Sequence, residues 1–369
     1  MIGMLHAYSR TNAGDGLLVD LTLERLRRSG HPADDVLLVA LDPESFPEVP
    51  HRLGVGARGR GLAWELVPAA GRALGLAGST LVRRPIGRPA RALARCEGFV
   101  AVGGGYLRAV DGTSSVGVVL NHLPQLALAA RRGAPTVYLP QSIGPLRGPA
   151  GRLVRLALGR VETVCVRDQW SEAELEGLTG VRRVPDLAVL DVAERWDTIE
   201  PGGHDGAVAL VARPVGHAAG YEAALLALAD DLGQRAVWAV QTAGHPTKSD
   251  AVHYDRLGLQ AGGGLAEMLS EGRLAAVVSV RLHGALMALA AGVPAVHLAY
   301  DRKGPAAFSD LGLDDWCLDV RSLDAATLAG AVQSVLSDPS EYWRCLEKRV
   351  PELRQASADL DDLLASHLR

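Results

Sequence analysis

Val277 to Gly304, VVSVRLHGALMALAAGVPAVHLAYDRKG, is the stretch from which the fold is read. Ala275–Val280 is short, apolar and rich in β-branched residues, as a strand buried on both faces must be, and Ala295–Ala299 repeats the pattern. Between them a turn carries Arg281 and His283, and a helix is expected to open at Gly284. Strand, turn and helix N-terminus in succession gather backbone N–H groups and the positive end of a helix dipole at one spot. A guanidinium and an imidazole at that mouth suit a phosphate or a carboxylate. The plain alternative is a buried βαβ unit whose histidine ends at a strand edge. Asp301 and Lys303 weigh against it, because they follow the next strand on the same carboxyl edge.

The same alternation extends outward in both directions. Upstream in the second half lie strands Ala207–Ala212 and Ala236–Gln241 and helices Tyr221–Leu232 and Leu265–Glu271. The first half shows strands at Ile2–Ala7, Val36–Leu41, Gly98–Val102, Thr136–Leu139 and Thr163–Val166. Helices fit Leu17–Arg28, Val116–Arg131, Pro149–Gly159 and Ser171–Leu178 between them. Strands separated by helices at this spacing form parallel sheets with helices on both faces. Asp191–Gly206 (DVAERWDTIEPGGHDG) interrupts the pattern with a polar, Pro-Gly-Gly run. The predicted organisation is α/β: two Rossmann-type doubly wound domains, 1–195 and 207–340, joined by a linker at 196–206 and facing a cleft. Glu341–Arg369 reads as one long charged helix able to brace the first domain.

At 369 residues the chain suits two domains of about 150 each. Apolar content of 48% and a mean hydropathy of +0.11 supply two cores, built from Leu, Val and Ala because aromatics are only 4%. A net charge of −4 argues against a general nucleic-acid binder. Cys96, Cys165, Cys317 and Cys345 are scattered without a Cys-x-x-Cys pair, so reduced thiols are expected rather than disulfides or a zinc site. Met1–Tyr8 lacks the features of a signal peptide, and no apolar run reaches the ~20 residues of a membrane span. The expectation is a cytoplasmic protein, including its placement at the inner face of the membrane. Residues 52–95 carry nine arginines and one acid, Glu65. They are either a solvated insertion or a surface for an anionic acceptor or lipid head groups, which makes 52–95 the place for a peripheral membrane contact.

Other strand ends carry residues suited to binding. Asn12-Ala-Gly-Asp15 follows the first strand; its glycine lets the backbone turn tightly, and Asp15 can cap the next helix. Gly103-Gly104-Gly105 ends another strand, where three glycines imply that a ligand or a facing loop comes close. Gln141-Ser-Ile-Gly-Pro145 and Val166-Arg167-Asp168 end the next two, with Asp168 a helix cap and Arg167 left to reach a ligand or an acid. Pro185-Asp186 suits a cap or a buried pair. Arg213 ends a strand on the same edge as Arg281 and His283, so two arginines can hold a carboxylate and a phosphate of one small molecule.

In order, these segments resemble the polysaccharide pyruvyl transferase family. The shared run is N-x-G-D, G-G-G, Q-S-I-G-P, V-R-D with a serine shortly after, P-D, S-x-R-x-H, G-x-P and D-x-K, over about residues 2 to 304. The resemblance implies a glycosyltransferase-B-like pair of domains and an enzyme that moves a pyruvyl group from phosphoenolpyruvate onto two sugar hydroxyls. It implies phosphoenolpyruvate as co-substrate, no cofactor, and a sugar or glycan acceptor that is free, nucleotide-linked or lipid-linked. Arg281 and His283 would bind and activate phosphoenolpyruvate, with His283 as the acid/base group because both its forms are accessible near neutral pH. Arg213 and Lys303 would add charge for the anions. Asn12, Asp15 and Gly103–Gly105 would serve the acceptor side, and Gln141, Arg167 and Asp168 would line the site. Either Asp15 or Asp168 can take a hydroxyl proton; the sequence does not choose. Nothing demands a metal.

Two features depart from the family pattern, Gly16 after N-A-G-D and the arginine-rich insertion, and both concern the acceptor half. The rival reading is a glycosyltransferase of the same architecture with a nucleotide-sugar donor. Arg281 and the lack of an acid just past Gly304 to grip a ribose speak against it. A non-catalytic sugar- or phosphate-binding protein is a third class, set aside because Arg213, Arg281 and His283 occur together.

Overall fold

The computed structural model describes residues 1–54, 87–110, 112–200, 206–216, 218, 220–243 and 249–368. The centre of the arginine-rich stretch, 55–86, and residues 201–205 of the expected linker lie outside them. Two compact units form. The first comprises Met1–Arg10, Asp15–Leu187 and Ala358–Arg369; the second comprises Thr11–Gly14 and Ala188–Ser357.

The first unit contains β1 (Ile2–Ala7), α1 (Ala13–Arg28, whose first two residues group with the second unit), β2 (Val36–Ala40), β3 (His51–Gly54) and α2 (Gly87–Leu93). It continues through β4 (Gly98–Ala101), β5 (Gly104–Ala109), α3 (Gly112–Gly117), α4 (Leu123–Arg132) and β6 (Thr136–Leu146). Then come α5 (Gly148–Leu158), β7 (Thr163–Val166), α6 (Gln169–Glu174) and β8 (Val181–Arg183). Among the described residues the strands are parallel and ordered β3-β2-β1-β4-β6-β7-β8, with β5 beside β6. β1 is buried at all six positions, as a central strand covered on both faces must be. The helices show the complementary stripe: in α5, Gly151, Val154, Ala157 and Leu158 face inward at helical spacing.

The second unit begins in α7 (Leu187–Arg195) and runs through β9 (Ala207–Val211), α8 (Tyr221–Leu232), β10 (Ala236–Val240) and α9 (Asp250–Arg256). It continues with β11 (Ala261–Gly264), α10 (Leu265–Ser270), β12 (Leu274–Ser279), α11 (Leu282–Ala290), β13 (Ala295–Ala299) and α12 (Lys303–Asp310). β14 (Cys317–Asp319), α13 (Ala325–Ser337), α14 (Ser340–Glu347) and α15 (Val350–His367) follow, the last passing into the first unit at Ala358. Its parallel sheet is ordered β11-β10-β9-β12-β13-β14. Strand order reverses between β9 and β12 here and between β1 and β4 in the first unit. Doubly wound sheets bind ligands outside the carboxyl ends of such reversal points.

Four local expectations change. The helix of the opening stretch starts at Leu282, so Arg281 becomes its cap residue and His283 lies in its first turn. The triple glycine is not a loop throughout: Gly104 and Gly105 begin β5, and a side chain on Gly103 would sit 2.7 Å from the Pro140 carbonyl oxygen. That residue is glycine because two backbones meet there. Asp191–Arg195 continues the helix from Leu187 instead of interrupting the pattern: Leu187–Ala193 are all buried, and Arg195 Nε donates to Asp191 at 2.8 Å one turn back. The tail is two helices, because Pro351 lacks an N–H and is accommodated in the first turn of α15 rather than inside one long helix.

Three histidines are buried and held neutral. Burial lowers His6 well below the ordinary histidine value, His122 to about 3 and His297 to about 4. The unfolded chain therefore takes up these protons first as the pH falls through 6.5. Stability should be full near pH 7 and decline steadily from about pH 6.5 to pH 4, with proton uptake on unfolding approaching three. Urea unfolding as a function of pH measures this; a flat stability between pH 6.5 and 4.5 would contradict it.

Candidate functional site

In the second unit the site is built at the carboxyl ends of β9, β10, β12 and β13. The Asp250 carboxylate is fully buried at the start of α9. Its Oδ2 accepts from the backbone N–H groups of Gln241 (2.9 Å) and Thr242 (2.8 Å), just past β10. Arg281, just past β12, donates to it from Nε (3.0 and 3.1 Å) and from Nη2. Ser279 ties the turn from the other side: its hydroxyl donates to the Arg281 carbonyl (2.8 Å) and accepts from the Arg281 N–H (3.1 Å). The guanidinium plane is thus set before any ligand arrives.

His283 is half-buried, and its ring lies against Gly14. A side chain on Gly14 would meet His283 Nδ1 at 2.7 Å and Cβ at 2.8 Å. Gly14 comes there because Thr11–Gly14 is bonded to the end of β10. Asn12 bridges Thr242, the Ala13 N–H donates to the Gln241 carbonyl (3.1 Å), and the Ala243 N–H donates to the Thr11 carbonyl (2.8 Å). Asn12 Oδ1 also accepts from the Gly14 N–H at 3.2 Å, so Asn12 caps α1 and Asp15 lies in its first turn. Capping by Asp15 and placement of Asn12 with the first domain are both corrected here, and the reason is these backbone bonds.

Arg213 and Lys303 are gathered by Tyr300, which the sequence reading passed over. The Arg213 guanidinium lies 5.3 Å and the Lys303 ammonium 5.7 Å from the Tyr300 ring centre. Arg213 Nη1 also donates to the Tyr300 hydroxyl at 3.4 Å, and Lys303 pairs with Asp301 at 3.2 Å. His297 supports the turn from beneath: neutral because it is buried, it donates from Nδ1 to the Ser279 carbonyl at 2.8 Å. Two oxygens at this edge, Gln241 Oε1 and Thr242 Oγ1, are buried without a hydrogen-bond partner.

In the first unit Arg167 and Asp168 belong to one buried polar network. Arg167 is buried and paired with buried Asp186, and its Nε donates to Ser142 Oγ at 3.0 Å. Ser142 Oγ donates to Asp168 Oδ2 at 2.6 Å, while Asp168 Oδ1 takes the Ser171 N–H and hydroxyl, both at 2.8 Å. Asp168 is a helix cap with three donors on it. Gln141 is wholly buried in β6, and its carbonyl accepts from the Arg167 N–H. Gly105 is exposed, and a side chain there would make ordinary contact with Arg167 at 3.8 Å. Asp15 is half-buried, and its charge adds to the burial that raises the Tyr8 hydroxyl pKa.

A second feature of this unit has no motif behind it. Tyr8 Oη, His122 Nε2, His122 Nδ1, His6 Nδ1, His6 Nε2 and Tyr138 Oη form a chain with contacts of 3.0, 3.2 and 2.7 Å. His6 holds a left-handed backbone (φ 67°), and His122 ends a π-helical turn, Val118–His122. Both are costly local conformations that persist at functional positions. The sequence places His6 at the end of the first strand and His122 inside a helix, and marks neither as a site residue.

The chain matches the family model for polysaccharide pyruvyl transferase over residues 12–302. It belongs to that family. It is therefore an enzyme, a transferase of polysaccharide biosynthesis with a sugar or glycan acceptor. None of the curated proteins matches it in sequence. Among solved structures it is similar to UGT89C1 from Arabidopsis thaliana, with a TM-score of 0.56, 11% identity and coverage of 100% of this chain and 99% of that one. It is also similar to UDP-GlcNAc 2-epimerase from Methanocaldococcus jannaschii (TM-score 0.52, 12% identity, 92% and 93% covered). A third is MnaA from S. aureus (TM-score 0.53, 12% identity, 95% and 90% covered). At these identities the likeness shows the glycosyltransferase-B-like fold and no more.

Asp250→Ala removes one partner of a buried ion pair and should destabilise the second unit by about 3–5 kcal/mol, read by urea unfolding. Gly14→Ala should shift the His283 imidazole signals in a proton–nitrogen NMR spectrum, because the new methyl group overlaps the ring. An unmoved His283 would contradict the packing described.

Proposed function

We propose that this enzyme transfers the pyruvyl group of phosphoenolpyruvate to two hydroxyls of a sugar acceptor, forming a cyclic ketal and releasing phosphate. The observation that carries the reading, beyond family membership, is the set of Arg213, Arg281, His283 and Lys303 along one carboxyl edge, after β9, β12 and β13. It combines three cations and one titratable ring, as a compact trianion with a protonatable carbon requires.

In this reading His283 delivers a proton to C3 of the enol, and positive charge develops at C2. One sugar hydroxyl adds to C2, the C2–O bond to phosphate breaks, and the second hydroxyl closes the ring on C2. Two hydroxyl protons are released; one replaces the proton given to C3 and the other leaves with phosphate. Arg281, its plane set by Asp250, and the Arg213–Tyr300–Lys303 group hold carboxylate and phosphate. Asp15, half-buried, is more accessible to the hydroxyl proton than fully buried Asp168. The acceptor is free, nucleotide-linked or lipid-linked.

The second reading is a glycosyltransferase with a nucleotide-sugar donor, with which the glycosyltransferase-B-like fold is compatible. Calorimetric titration separates the two. Phosphoenolpyruvate should bind the wild type, and Arg213→Gln should weaken it about a hundredfold, the effect of removing one charge-assisted contact in a dry site. Silence toward phosphoenolpyruvate with tight binding of a nucleotide-sugar would replace the first reading by the second.

A further inference from the structure

Charge is distributed very unevenly along this chain. Residues 52–160 contain sixteen arginines, no lysine and three acids (Glu65, Glu97 and Asp111), although the whole protein carries −4. In the first unit the described part of this region builds one helical layer. The steps β3 to β4, β4 to β6, β6 to β7 and β7 to β8 run the same way across the sheet. Right-handed crossovers therefore place α2, α4, α5 and α6 on one face, where α4 packs on α5.

The outer surface of that layer is basic and apolar together. α2 buries Ala90 and Leu93 and exposes Arg88 and Arg91; Arg95 follows one helical repeat later. With Ala92, these three arginines line an open depression of about 550 Å³, and none forms an ion pair among the described residues. α5 buries Val154, Ala157 and Leu158 and leaves Leu153 48% and Leu156 56% exposed, with Arg152 and Arg160 exposed beside them. Val116 in α3 is 54% exposed and Val119, in the turn after it, 38%. Scattered exposed apolar side chains need no explanation, but the pair Leu153 and Leu156, one helical turn apart beside unneutralised arginines, does.

We propose that this helical layer of the first unit docks on an anionic lipid bilayer. Unpaired guanidiniums bind phosphodiester head groups bidentately and are weakly hydrated, so contact costs little desolvation. Leu153, Leu156, Val116 and Val119 supply the aliphatic contact with the acyl boundary that interfacial helices use. A nucleic acid suits the surface less well, because bases stack on aromatic rings and, among the exposed large apolar side chains described in the first unit, Trp170 alone is aromatic. No helix of the described residues is long and apolar enough to cross a membrane, so the attachment is peripheral. The proposal is independent of which donor the enzyme uses.

The test is cosedimentation of the full chain with vesicles of phosphatidylcholine alone or with about one third phosphatidylglycerol, at about 0.1 M salt. Wild type should bind the anionic vesicles, ignore the neutral ones and be released by about 0.5 M salt. The triple variant R88Q/R91Q/R95Q should bind about a hundredfold more weakly, at about fivefold per charge. L153S/L156S should also weaken binding; all five positions are exposed, and unchanged melting curves verify the fold. No binding to anionic vesicles, or binding by both variants at the wild-type level, would overturn the proposal. So would displacement by millimolar inorganic phosphate, which would mean a discrete phosphate site, or tighter binding of a single-stranded RNA at the same salt.

Discussion

The buried carboxylate of Asp250 is the constraint on which the second unit's edge depends. A desolvated charge must be matched, or it costs several kcal/mol. Here it is matched by two amides at the end of β10 and by Arg281 at the end of β12. Those bonds fix where two strands stop and how the guanidinium is presented. The turn they hold is seconded by Ser279 and by neutral His297 beneath it. The same strand end accepts the Thr11–Gly14 segment, which brings Gly14 to the face of His283. A single buried anion thus organises the cation, the imidazole and the glycine together.

The first unit solves a different problem at its own reversal point. Its charged motif residues, Arg167, Asp168 and Asp186, satisfy one another and Ser142 and Ser171 in the interior. Beside them runs the chain Tyr8–His122–His6–Tyr138. Two neutral imidazoles meeting through Nδ1 need one proton between them, so one donates and the other accepts. Either choice sets the direction of every other bond in the chain. Burial, which keeps both rings uncharged, is what makes the two directions the available states.

The sheet order in each unit is one that many proteins share, including sugar epimerases and glycosyltransferases, and it does not distinguish among their reactions. Distinction comes from which side chains stand at the reversal points. A backbone N-terminus and a glycine-rich turn suit any phosphate. Three cations along one carboxyl edge, with an imidazole whose neighbours leave no room for a bulkier Gly14, suit a narrower set of ligands.

By itself, the sequence determined the alternation of strands and helices, the two-unit α/β fold, the family, and the place of Arg281 and His283 at a strand end. These are written in periodicity and in local motifs, whose physics acts over a few residues. It did not show that Asn12 joins the second unit, because that rests on backbone bonds to Gln241 and Ala243 far along the chain. It missed Asp250, Tyr300, His6 and His122, since no motif surrounds them and their roles arise from neighbours 30 to more than 100 positions away. It placed Arg167, Asp168 and Gln141 at strand ends but did not show that all three are buried there, with Arg167 and Asp168 joined through Ser142. Tertiary structure decided these points because burial and charge pairing are set by contacts between distant segments, and local pattern carries no record of them.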